Sequence, residues 1–173
     1  VYGQLSVSKG AFAYNAGIRI EQMNRDLMPR DKANTIDDTR NYAFTKAYPS
    51  ASINYAVNDN TNAKLAYSKR VARTTTFKMN PFPEREHAET LEQGDPDLKP
   101  EFVDLIELGI DKKLSGDNSF FANAYYRKTQ NVVNRVNTVY SDNILNRICS
   151  NVGDAETFGI EFGAQLKHTN KWE

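Results

Sequence analysis

From Ala11 to Gln22 apolar residues recur at every second position. Phe12, Tyr14, Ala16, Ile18 and Ile20 fall on one side; Asn15, Gly17, Arg19 and Glu21 fall on the other. A helix would set apolar residues three and four apart, so this period demands a strand with one apolar and one polar face. The pattern returns in Ser50–Asn58 and Phe158–Lys167 and, less regularly, in Val1–Ser8, Ala63–Arg70, Phe102–Lys112 and Phe120–Lys128. Seven strands and almost no helix are therefore expected, an all-β chain.

The connections between these strands alternate in length. Short turns are expected at Lys9-Gly10, at Asp59-Asn60-Thr61, at Ser115-Gly116-Asp117-Asn118 and at Thr169-Asn170, where Asn, Asp and Gly tolerate the positive φ of tight hairpins. Between them lie long polar stretches, roughly Asn24–Asn41, Thr74–Pro100 and Asn131–Glu156, in which alternation lapses. Tight turns at one end and long loops at the other mark an antiparallel up-and-down transmembrane β-barrel; a soluble sandwich turns more evenly, about every 8–12 residues. The runner-up is a soluble all-β binding module or adhesin whose apolar faces pack together.

Composition narrows the classes further. Twenty-two basic residues balance twenty-two acidic ones, which removes the basic surplus that nucleic-acid binding needs. The mean hydropathy of −0.66 excludes a helical membrane protein but not a barrel, whose strands need only every second residue apolar. Cys149 is the only cysteine, so no internal disulfide forms, and it reads as structural. The chain opens at Val1 without the charged and apolar regions of a signal peptide. It reads as a piece, residues 1–173 all belonging to one barrel domain.

Pairing like faces across the turns gives an expected register. It sets Val7 opposite Phe12 and Leu5 opposite Tyr14, Tyr55 opposite Leu65 and Asn54 opposite Ala66, and Glu107 opposite Arg127. The apolar face then meets lipid, while Arg19, Glu21, Lys64, Arg70, Glu107, Asp111, Arg127 and Glu161 face a watery lumen. Phe12, Tyr14, Tyr55 and Phe120 fall near the short turns, where an interfacial aromatic girdle belongs.

One loop carries a distinctive text. It begins Asn80-Pro81-Phe82 and ends Gly94-Asp95-Pro96-Asp97-Leu98-Lys99-Pro100-Glu101. This resembles the "NPF … GNPDLKPE" loop of TonB-dependent receptors, most closely the outer-membrane β-barrel family common in Bacteroidetes. Glu107-Leu108-Gly109, Ala124-Tyr125-Tyr126-Arg127-Lys128-Thr129, Asn151-Val152-Gly153 and Thr157-Phe158-Gly159-Ile160-Glu161 resemble that family's following strands, and Ala16–Glu21 and Tyr48–Ser52 its preceding ones. Asp95 stands where Asn is commoner, and Ile20 replaces the usual aromatic. Physically the motif reads first as a turn that sets register. Pro96 and Pro100 bias Asp95 and Lys99 toward extended backbone, Gly94 permits a bend, and Asp97 can make an Asx turn. A direct ligand contact from this loop is the second reading.

The resemblance implies a bacterial outer-membrane receptor that binds a scarce solute (an iron chelate, vitamin, glycan or peptide) and imports it. It also implies a plug domain inside a 22-strand barrel and energy from the TonB complex; plug and remaining strands are outside this sequence. No enzyme chemistry and no cofactor are expected. His87, near Glu84, Glu86 and Glu89, reads as part of a solvated acidic loop rather than a metal site, and His168 joins no catalytic constellation. The basic pairs Lys69-Arg70, with Arg73, and Arg127-Lys128 read as charges reaching the headgroup level, with an anionic solute or lipopolysaccharide phosphate as the alternative. Seven strands alone would leave two open edges, whose unpaired backbone groups in lipid would cost on the order of tens of kcal/mol. Other strands of a larger barrel must complete them, or the edges must pair with another copy.

Overall fold

The computed structural model describes residues 1–29, 39–87, 89–115 and 117–166. Eleven strands run in chain order: β1 (Tyr2–Lys9), β2 (Phe12–Leu27), β3 (Arg40–Asn58), β4 (Thr61–Ala72), β5 (Glu84–His87), β6 (Thr90–Gln93), β7 (Glu101–Lys113), β8 (Ser119–Gln130), β9 (Val133–Ser141), β10 (Ile144–Asn151) and β11 (Ala155–Gln165). Seven of them form one antiparallel sheet in the order β1-β2-β3-β4-β7-β8-β11, and the other four form a small sheet in the order β5-β6-β10-β9. The seven-stranded wall comprises the seven strands expected from alternation. The hairpins β1–β2, β3–β4 and β7–β8 close at one end, and the long connections leave from the other.

Several expectations need correction. The stretches Thr74–Pro100 and Asn131–Glu156 are not loops throughout, because they supply the small sheet. Its strands carry no regular apolar alternation, so period two did not mark them. The stretch Asn24–Asn41 is also shorter than expected: β2 and β3 stay paired up to Leu27 opposite Arg40. On the outer side of β2 the residues beyond Ile20 are Gln22, Asn24 and Asp26, so pairing outlasts the apolar pattern.

The hairpin registers are each displaced by two residues. Val7 lies opposite Tyr14 and Leu5 opposite Ala16, since Lys9 pairs with Phe12 around a two-residue turn at Gly10-Ala11. Gly10 there has φ +59, which a side chain would resist. Tyr55 pairs with Ala63 and Asn54 with Lys64, next to an irregularity at Ala56/Asn58. Glu107 lies opposite Tyr125, and Arg127 opposite Leu105, so the expected Glu107–Arg127 pair does not form. An even displacement leaves every side chain on its expected face, because sheet faces alternate with period two. The turn at Thr169-Asn170 lies outside the described residues.

The outer face is apolar and open. Leu5, Tyr14, Ile18, Leu65, Leu108, Phe158, Ile160 and Phe162 are all exposed there, and Phe162 reaches 78 %. The small sheet does not cover this face, as a soluble sandwich would require. From Phe12 to Ile20 the apolar run extends about 27 Å along the strand, or about 20 Å of height at the tilt of about 40° usual in barrels, close to the apolar band of about 25 Å. Strands of 16 and 19 residues, as β2 and β3 are, continue well beyond it.

Candidate functional site

Packing is concentrated where the long connections leave the wall. Leu98, Met79 and Cys149 form a buried cluster, joined by Leu27 and Val133. Leu98 is fully enclosed, and Pro100 and Phe102 are nearly so. The ring of Phe102 meets Phe44 edge-on at 5.7 Å, and the Lys46 ammonium sits 3.4 Å from its centroid. Core therefore lies at the loop end, whereas the wall itself presents its apolar side outward.

The residues of the Asn80–Glu101 motif meet here, and each has a geometric task. Gly94 donates its N–H to Asn80 O at 2.6 Å, and Asp95 donates to Lys78 O at 3.0 Å. A Cβ on Gly94 would lie 2.5 Å from the backbone of both Asn80 and Lys78, so the close approach itself requires glycine. Asn80 Oδ1 accepts from the Phe82 N–H at 3.2 Å across Pro81, and Pro81 O accepts from Gln93 Nε2 at 2.6 Å. The Asx turn falls one residue pair earlier than expected: Asp95 Oδ1 accepts from the Asp97 N–H at 2.8 Å across Pro96. Asp97 instead pairs with Arg40 Nε at 3.2 Å.

Three side chains remote in sequence fasten this loop. Asn151 bonds both backbone groups of Lys99 and also donates to Asn131 O at 2.7 Å. Asn131, held at φ 56, donates Nδ2 to Pro100 O at 3.3 Å, and Glu101 Oε1 accepts from the Val133 N–H at 2.6 Å. Arg25, from β2, donates to Leu98 O at 2.8 Å, reaches Thr74 Oγ1 and Met79 Sδ, and lies over the Tyr42 ring. The two long connections and the β2–β3 hairpin are thus one structural unit. Sequence reading singled out the motif but missed Arg25 and Asn131, which bear no local pattern.

The eight charged residues expected on the polar face share one side of the wall by strand parity: Arg19, Glu21, Lys64, Arg70, Glu107, Asp111, Arg127 and Glu161. Arg19 pairs with Glu21 at 2.9 Å, and Arg73 binds the other oxygen of the same carboxylate. Each basic pair is split by the pleat. Lys69 points outward to Asp104 at 2.7 Å, with the Tyr67 hydroxyl donating to the same carboxylate, and outward Lys128 pairs with Glu156 at 3.4 Å. Arg70 and Arg127 point inward.

Glycines on this inner face make room for facing side chains. Asn123 lies over Gly109, Tyr125 over Gly159 and Phe121 over Gly163; a Cβ at any of the three would come within 2.6 Å of its cover. Such close cover lets large side chains lie flat on the wall. His87 ends β5 in the small sheet, and no group of three His, Cys, Asp or Glu gathers among the described residues.

An antiparallel meander, apolar outside and polar inside, with tight turns at one end and folded loops at the other, is the wall of an outer-membrane β-barrel. The family model of the outer membrane protein beta-barrel family matches residues 1–173, and the chain belongs to that family. Its place is the bacterial outer membrane. Among solved structures it is similar to the copper transporter OprC, with a TM-score of 0.74 at 16 % identity over 98 % of this chain and 26 % of that one. The FrpB iron transporter from Neisseria meningitidis gives 0.65 at 10 % identity over 97 % and 23 %. The Serratia marcescens hemophore receptor HasR, solved with its hemophore HasA and heme, gives 0.64 at 13 % over 94 % and 30 %. No curated protein matches significantly. The chain spans about a quarter of the length of these structures, and the likeness is one of fold: a partial barrel of the TonB-dependent receptor type.

Proposed function

We propose that this chain is part of a TonB-dependent receptor that binds a scarce solute outside the cell and imports it. Residues 1–173 form part of one barrel domain on this reading. Further strands close the wall, a plug domain fills the lumen, and the TonB complex supplies energy. The observation that carries the proposal is the fastening of two long connections and the β2–β3 hairpin into one unit by Arg25, Asn131 and Asn151. Such a unit suits a receptor, which gains from a preorganised outer surface because ordering loops at the moment of binding costs affinity.

The residues named above then divide by role. Asn80, Pro81, Phe82, Gly94, Asp95, Pro96, Leu98, Pro100 and Glu101 build the turn beneath the loops, and the inward charges line the lumen. On this reading the chain serves to bind and pass a solute rather than to catalyse a reaction. Deleting the parent gene tests the reading. Growth on some limiting metal chelate, vitamin, glycan or peptide is expected to fail, and to fail equally when TonB is removed. Unchanged uptake of every solute in both strains would contradict it.

A further inference from the structure

The inner face of β2–β4 is basic although the chain is neutral overall. Strand parity gives it Arg19, Arg25, Arg40, Lys46, Lys64 and Arg70 against the single carboxylate Glu21. Most of these cations are engaged. Arg25 and Lys46 serve the loop core, Arg40 pairs with Asp97, and Arg19 shares Glu21 with Arg73. Arg70 has no carboxylate within ion-pair distance among the described residues, and neither has Lys64.

Arg70, Arg19 and Lys64 border a hollow of about 360 Å³ on this face, with Glu107 of β7 as its one carboxylate. Register fixes its shape. Arg19 lies opposite Tyr48, and two residues down Gly17 lies opposite Ser50 and Ser50 opposite Ser68. Arg70 and Arg19, the latter shared with Glu21 and lying over the Tyr48 ring, thus line a hollow whose wall residues include Gly17, Ser50 and Ser68. A Cβ at Gly17 would press on Ser50 Oγ at 3.1 Å, so the missing side chain keeps the floor low. Tyr48 lines the same hollow, is 4 % exposed and leaves its hydroxyl without a hydrogen-bond partner.

We propose that this cradle binds an oxyanionic group (carboxylate, phosphate or sulfate). Two arginines with Ser50 and Ser68 lining one hollow supply several donors for the acceptor oxygens of such a group, and fork geometry favours oxyanions over point anions such as chloride. The proposal rests on reading this face as the barrel lumen. The oxyanion belongs either to a passing solute or to an acidic side chain of the polypeptide that fills the barrel.

Arginine footprinting with phenylglyoxal on the full-length parent protein, read by mass spectrometry at Arg70, tests the site and separates the sources. Citrate is the probe. Slow modification with citrate and fast modification without it identify a site open to solutes; R19Q then raises the half-protecting citrate concentration about tenfold. Slow modification without citrate that becomes fast in 0.5 M NaCl identifies an internal acidic occupant. Fast modification regardless of citrate, or slow modification indifferent to both citrate and salt, overturns the proposal. Heat-modifiable gel mobility and solute uptake are scored on the same preparations, so loss of the receptor reading is told apart from loss of the cradle alone.

Discussion

Asn151 holds Lys99 from both sides: its Oδ1 accepts from the Lys99 N–H at 2.8 Å and its Nδ2 donates to the Lys99 carbonyl at 3.1 Å. An amide side chain that satisfies both backbone groups of an extended residue acts as one more rung of a sheet. The rung joins the loop ending at β7 to the loop ending at β11, 52 residues apart. Asn151→Ala removes three hydrogen bonds, counting the one to Asn131. At roughly 0.5–1.5 kcal/mol each the expected local loss is about 1.5–4.5 kcal/mol. Hydrogen exchange of the Lys99 and Val133 amides in the full-length protein should accelerate accordingly, with little change in the wall. Unchanged protection at both sites would count against the fastening.

Gly94→Ala is expected to be far more damaging than its size suggests. The new methyl meets backbone on two sides rather than a side chain that could swing away. Overpacking against backbone costs typically about 1–3 kcal/mol. Limited proteolysis should cut the variant between residues 78 and 98 while the wild type resists; equal resistance would show that the approach is looser than described.

Gly159 and Tyr125 offer a paired test. Gly159→Val should displace the Tyr125 ring, which occupies the position of the missing side chain. Tyr125→Ala in that background should recover part of the lost stability, a coupling of about 0.5–3 kcal/mol for residues in direct contact. Additive losses in a double-mutant cycle would mean that the ring does not lie on the glycine.

The pattern of what could be read from the sequence follows from where the solvent changes. Alternation identified all seven wall strands, because lipid on one side and water on the other impose a period of two at positions such as Phe12 to Ile20. It failed above Gln22, where the outer face of β2 turns polar at Gln22, Asn24 and Asp26 while the ladder to β3 continues through backbone bonds that any residue makes. The small sheet was missed for the same reason. Register fell short by two residues at three hairpins, since face matching fixes only parity and the turn decides the rest. At the loop core, the motif pointed to Gly94–Glu101, whereas Arg25 reaches Leu98 across 73 residues and no local spacing could announce it.

Neighbouring residues on β7 separate the two faces by one step. Leu108→Arg puts a cation on the outer apolar face and is expected to cost about 2–4 kcal/mol near the bilayer midplane. Glu107→Arg, facing inward, should leave assembly in the membrane intact. Heat-modifiable mobility of the two full-length variants checks this, and equal behaviour would remove the basis for assigning faces.

The most direct test of the membrane wall is nitroxide scanning of β7 in the full-length protein, reconstituted in lipid, with buried Cys149 replaced by Ser. Spin labels at Ile106, Leu108 and Ile110 are expected to collide preferentially with oxygen, which concentrates in lipid. Labels at Leu105, Glu107 and Asp111 should favour a water-soluble nickel chelate or be shielded from both. A period of two across six positions is the predicted result. Equal access of the nickel chelate to both sets would contradict a lipid-facing wall and, with it, the outer-membrane barrel.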